Sequence, residues 1–62
     1  MIAPLEIREA VQMAIDRDGL GVTSKRLGMS DEATLRLATG ENVRKMTVSL
    51  ARDRLGLPER ET

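Results

Sequence analysis

Sixty-two residues carry a formal net charge of zero, with ten Lys plus Arg against ten Asp plus Glu, and no aromatic side chain. Cysteine and histidine are also absent, which removes disulfides, thiolate metal sites and the commonest general base, so neither enzymatic chemistry nor a metal or other cofactor is expected. No apolar run reaches the roughly 18 residues of a membrane span and no basic-then-apolar leader opens the chain. A cytoplasmic protein with no membrane contact and no small-molecule substrate is the expectation.

Residues 1–62 read as one domain, and a domain of this size buries only about 60% of the surface its unfolded chain exposes. Its core has to come from Leu, Val, Ile, Met and Ala, a palette suited to helices. The first helix is expected from Pro4 to Arg17. Proline suits a first helical position because its φ is fixed and its missing N–H would have no partner there. Ile7, Val11, Ala14 and Ile15 then fall on one face. Glu6 and Glu9 complement the helix dipole, and Asp16-Arg17-Asp18-Gly19 reads as the end.

The second helix is short, because Gly21, Val22, Thr23 and Ser24 are poor helix formers and leave room for about two turns. Leu20 or Val22 is expected to pack inward with Leu27. Gly19-Leu20-Gly21 has no preceding strand and reads as a loop, not a phosphate cradle. At Leu27-Gly28-Met29-Ser30 the glycine takes the left-handed angle that ends a helix, Met29 tucks beneath the core, and Ser30 caps the next helix. The third helix carries Ala33, Leu37 and Ala38 on one side and Glu32, Arg36 and Thr39 on another, and stops at Gly40.

Beyond Glu41-Asn42-Val43-Arg44-Lys45-Met46, Thr47 is the expected N-cap of a fourth helix bearing Val48, Leu50, Ala51 and Leu55. Gly56 and Pro58 close it, and residues 57–62 are expected to fray. The sum is an all-α, small four-helix domain containing a helix-turn-helix. Its expected core is Ile7, Val11, Ile15, Leu27, Leu37, Leu50, Ala51 and Leu55, with Met13, Met29 and Met46 as adaptable filler.

The run LGMSDEATLRLATGENVRKMTVSLARDRLGL resembles the bacterial and phage helix-turn-helix regulators of the lambda-repressor-like superfamily. In that family a Leu-Gly-apolar-Ser turn leads into a recognition helix ending in glycine, and a scaffold helix ends in Leu-Gly. The resemblance covers roughly residues 20–57. Ser24 matches the small residue four before the turn glycine, Leu27 the apolar residue before it, Gly28 the turn itself and Met29 the apolar residue after it. Ser30 matches the cap and Gly40 the stop. Thr34 stands where the family usually has an aliphatic residue, with Leu35 one place later. Either the turn is longer by one residue or the recognition helix is rotated.

The resemblance implies sequence-specific binding of double-stranded DNA by a transcription regulator, as a homodimer or beside another protein. Ser30, Asp31, Glu32, Leu35 and Arg36 would then enter the major groove, with Arg36 the candidate for guanine O6 and N7. Thr39 is a candidate for a base or phosphate hydrogen bond. Asp31 and Glu32 also suit the positive end of a helix dipole, and Glu32 is placed to pair with Arg36. Lys25 and Arg26 in the last turn of the second helix, with Arg44 and Lys45 beyond Gly40, are the expected phosphate contacts.

Zero net charge argues the other way, because a free-standing DNA binder usually carries a basic excess. It favours the alternative of a protein–protein interaction module that works through the Leu35 region or the fourth helix without touching DNA. What separates the two is whether the basic side chains gather beside the third helix or scatter around the domain.

Overall fold

The computed structural model describes residues 1–58. Helices α1 (Leu5–Asp18), α2 (Leu20–Leu27), α3 (Asp31–Thr39) and α4 (Lys45–Leu55) follow in chain order, so the all-α expectation holds. Pro4 precedes α1 as its N-cap residue, with ψ 151°, instead of being its first helical residue, and the helix continues one residue past Arg17 to Asp18. The Pro4 carbonyl fixes this start by accepting the amides of Ile7 and Arg8 at 3.0 and 3.1 Å.

A single residue, Gly19, separates α1 from α2. Thr23 follows it down the new helix, its amide and hydroxyl both donating to the Gly19 carbonyl at 3.1 and 2.8 Å. Thr23 and Ser24 therefore accompany Leu27 into the interior, while Leu20 is only partly buried and Val22 stays 57% exposed. Burying a hydroxyl costs little once its hydrogen bond is made. No buried side-chain nitrogen or oxygen among the described residues lacks a partner.

Ile7, Val11, Leu27, Leu37 and Ala51 are wholly enclosed, with Ala3, Ala38 and Val48 completing the central cluster. Helix α1 packs against each of the other three helices, and α2 against α3 and α4. Three expected core residues sit further out: Ile15 and Leu55 are partly buried against the cluster, and Leu50 is only half-buried outside it. Leu50 lies two positions from Val48, which turns it off the Val48–Ala51–Leu55 stripe. Met29 packs against the core as expected, whereas Met13 and Met46 are solvent-facing, at 69% and 82% exposure.

The start of α4 also departs from expectation. Arg44, not Thr47, is the N-cap, and Thr47 is the third residue of the helix. The amides of Thr47 and Val48 both close on the Arg44 carbonyl, at 2.9 and 3.3 Å. The chain turns helical here because Val43 is already committed elsewhere: its amide donates to the Met1 carbonyl at 2.8 Å, next to an antiparallel bridge between Ile2 and Asn42. At the other end, Leu57 packs against the core and its amide returns to the Arg52 carbonyl at 3.0 Å, so it is tied down although it was expected to fray. Residues 59–62 of that tail lie outside the described residues. No described helix is long and apolar enough to cross a membrane.

Candidate nucleic-acid interface

The register of α3 decides which side chains are available to a partner. Thr34 is fully buried, its hydroxyl donating to the Ser30 carbonyl at 3.0 Å, while Leu35 is 43% exposed. Thr34, not Leu35, is therefore the inward residue here, its hydroxyl satisfied on the preceding turn. Gly28 holds the left-handed conformation between α2 and α3, at φ 69°. Ser30 caps α3 as expected, its hydroxyl accepting the Ala33 amide at 3.1 Å.

This register leaves Glu32, Leu35, Arg36 and Thr39 exposed along α3. Glu32 and Arg36 form an ion pair one turn apart. The Thr39 hydroxyl lies 2.9 Å from the Leu35 carbonyl and 2.8 Å from a Glu41 carboxylate oxygen. Asp31 faces the other way: its carboxylate accepts from the buried Ser24 hydroxyl. That bond ties the first turn of α3 to α2, a structural use for this acid.

The basic side chains singled out in the sequence are not all brought together. Arg36 from α3 and Arg44 from the start of α4 line one open cleft of about 520 Å³, together with Ala33, Asn42, Val43 and Thr47. Lys45 opens α4 beside it, exposed to solvent. Arg26 lines a different groove, with Met13, Arg17 and Leu55, and its guanidinium lies 3.8 Å from Asp18. The Arg17 guanidinium, hydrogen-bonded to Asp18 at 3.0 Å, holds that carboxyl below its ordinary range, with a smaller contribution from Arg26. Lys25 is exposed in the last turn of α2.

Asn42 and Thr47 line the cleft without having been expected there. Thr47 was legible in part, since it follows Arg44 by three residues and so shares its side of the first turn. Asn42 carries no such signal, because its place is fixed by pairing with Ile2, forty residues earlier in the chain.

The two helix starts beside this cleft are unlike. The Ser30 hydroxyl takes one free amide of α3, that of Ala33, whereas no side chain caps α4, whose N-cap and first residue are Arg44 and Lys45. The amides of the first turn of any helix lack intrahelical partners and carry partial positive charge. Cations placed there raise the local potential further, and a phosphate would complement it. Comparison with known proteins adds no relative to this picture, since no family model, curated protein or solved structure matches the chain.

Proposed function

We propose that this chain is a small helix-turn-helix protein that binds duplex DNA, in the manner of a bacterial or phage transcription regulator. It lays the exposed face of α3 in the major groove and sets backbone phosphates against the start of α4. The observation that carries this reading is the pair of cations Arg44 and Lys45 at the start of α4, where no acidic residue stands in the first turn. A local choice that opposes the helix dipole is unfavourable in the free protein and becomes favourable once an anion arrives. Arg36 in the same cleft supports the reading from the α3 side.

Reaching a base requires Arg36 to leave Glu32. An exposed pair one turn apart is worth only about 0.3–0.5 kcal/mol, while a bidentate guanine contact contributes about 1–3 kcal/mol of discrimination, so the exchange favours the base. Arg44 and Lys45 hold phosphates, and Lys25 and Arg26 reach the backbone from the end of α2. Zero net charge limits what one protomer holds, and a homodimer spanning two half-sites about 34–36 Å apart would double the contacts.

A salt titration against duplex DNA tests this. Four phosphate contacts predict a slope of log affinity against log salt near about −3.6 per protomer. Replacing Arg44 and Lys45 together by Ala should weaken binding to every sequence and make the slope shallower by about 2. Arg36→Ala should cost about 1–3 kcal/mol at one base pair only. A second reading draws on Leu35 of α3 or Met46 of α4, both exposed apolar side chains, as the contact of a protein partner. If the folded protein shows no salt-sensitive association with any duplex but is retained by a protein partner through Leu35, that reading replaces the first.

A further inference from the structure

The loop that carries Asn42, Val43 and Arg44 into the cleft is held from outside it, by α1 and the residues before α1. Three contacts meet there. The Arg8 side chain donates from Nε to the Ala3 carbonyl at 3.0 Å and lies against Gly40, so close that a Cβ at that glycine would stand 3.3 Å from Arg8 Cδ and Nη1. One turn further along α1, Gln12 donates from Nε2 to the Ala38 carbonyl at 2.5 Å. The Met1 carbonyl takes the Val43 amide, and the Met1 amino group donates to the Val43 carbonyl at 2.7 Å.

Two of these contacts fall at a helix C-terminus: Ala38 lies in the last turn of α3, and Gly40, against Arg8, is its C-cap. The last carbonyls of α3 have no intrahelical donors, and the dipole makes this end negative. Arg8 and Gln12, spaced four apart on one face of α1, bring a guanidinium and an amide to that end from another helix. Neither side chain lines the cleft.

We propose that Arg8, Gln12 and the Met1–Ala3 arm are positioning residues: they fix the C-terminal end of α3 and the loop after it, and thereby set how Arg36 and Arg44 are spaced across the cleft. As an account of DNA recognition the assignment rests on the function proposed above. As an account of geometry it stands on the contacts alone.

The test uses the full chain with Arg8→Met, which keeps the side chain's stem and removes its guanidinium, Arg8→Lys, which restores a cation, and Gln12→Ala at an exposed position of α1. Amide hydrogen exchange is read by NMR. Affinity is read against a duplex enriched by the wild-type protein from a random-sequence pool and against a scrambled duplex of equal length. Arg8→Met should speed exchange of the Glu41 and Val43 amides about tenfold while leaving Met29 in the α2–α3 turn unchanged. Its preference for the enriched over the scrambled duplex should fall about tenfold, the size of one mismatched base pair, with scrambled-duplex affinity nearly unaltered. Arg8→Lys should recover part of both effects.

Equal loss of affinity for the two duplexes with loop exchange unchanged would make Arg8 a direct phosphate contact and overturn the assignment. If Arg8→Met does not fold, Gln12→Ala carries the same comparison. If the wild-type protein enriches no duplex, the DNA reading fails separately, and exchange alone decides: faster exchange in the loop upholds the positioning role, and unchanged exchange refutes it.

Discussion

The two connections that flank α3 begin alike and are stabilised by different means. Each starts with a left-handed glycine, Gly28 at φ 69° and Gly40 at φ 78°. After Gly28 the chain closes on itself within two residues, through the Ser30 cap and the Met29 amide returning to the Ser24 carbonyl at 3.1 Å. After Gly40 it runs extended through Val43 and enters α4 with no side-chain cap, held instead by Met1, Ile2 and Arg8. The first connection is a local device that sets the angle between two helices. The second leaves the start of a helix open, with two cations on it, and relies on distant residues to stay in place.

The largest effect expected from disturbing this arrangement lies between the two connections. Leu37 is wholly buried on the face of α3 that both depend on. Leu37→Ala should cost about 2–5 kcal/mol in chemical denaturation, which is a large share of the stability of a domain this small.

The glycines separate the two devices more finely. Gly28→Ala and Gly40→Ala both force a side chain into the left-handed region, at about 1–2 kcal/mol each. Nothing lies within 4 Å of a Cβ at Gly28, whereas one at Gly40 presses on Arg8. Gly40→Ala should therefore be the more destabilising of the two by urea denaturation. Equal losses would mean that Arg8 moves aside freely and does not hold the loop. Ser30→Ala is the smaller local counterpart: losing the cap of α3 should cost about 1 kcal/mol in the same measurement.

This contrast also explains what could be read from the residues. The α2–α3 turn was legible because each of its parts lies within a few residues of the next: Leu27, Gly28, Met29, Ser30 and the Ala33 amide. Thr34 defeated the apolar pattern because a hydroxyl that bonds the carbonyl four residues back packs as a short aliphatic side chain does. Thr47 has the chemistry of a cap, but the start of α4 follows the bond between Met1 and Val43, which are far apart in sequence. Arg8 and Gln12 resemble ordinary solvated positions of an amphipathic helix, and only the packed fold brings them to the end of α3. Of the basic residues singled out, Arg36 and Arg44 do share one cleft, while Arg26 lines a different groove beside Asp18.

Arg44 and Lys45 stand at an α4 start that no side chain caps, and Arg44→Asp separates what this does to stability from what it does to binding. Aspartate would supply a side-chain acceptor to the first turn, where none is present, and complement the dipole, so the free protein should gain about 1 kcal/mol, or roughly 4–8 °C in melting temperature. On the same sample, affinity for duplex DNA at low ionic strength should fall, and its dependence on salt should flatten by about one unit of slope. Opposite signs for stability and binding are the predicted result. A variant that melts no higher than the wild-type protein, or that binds duplex DNA as well as it does, would overturn the assignment of the α4 start to phosphate.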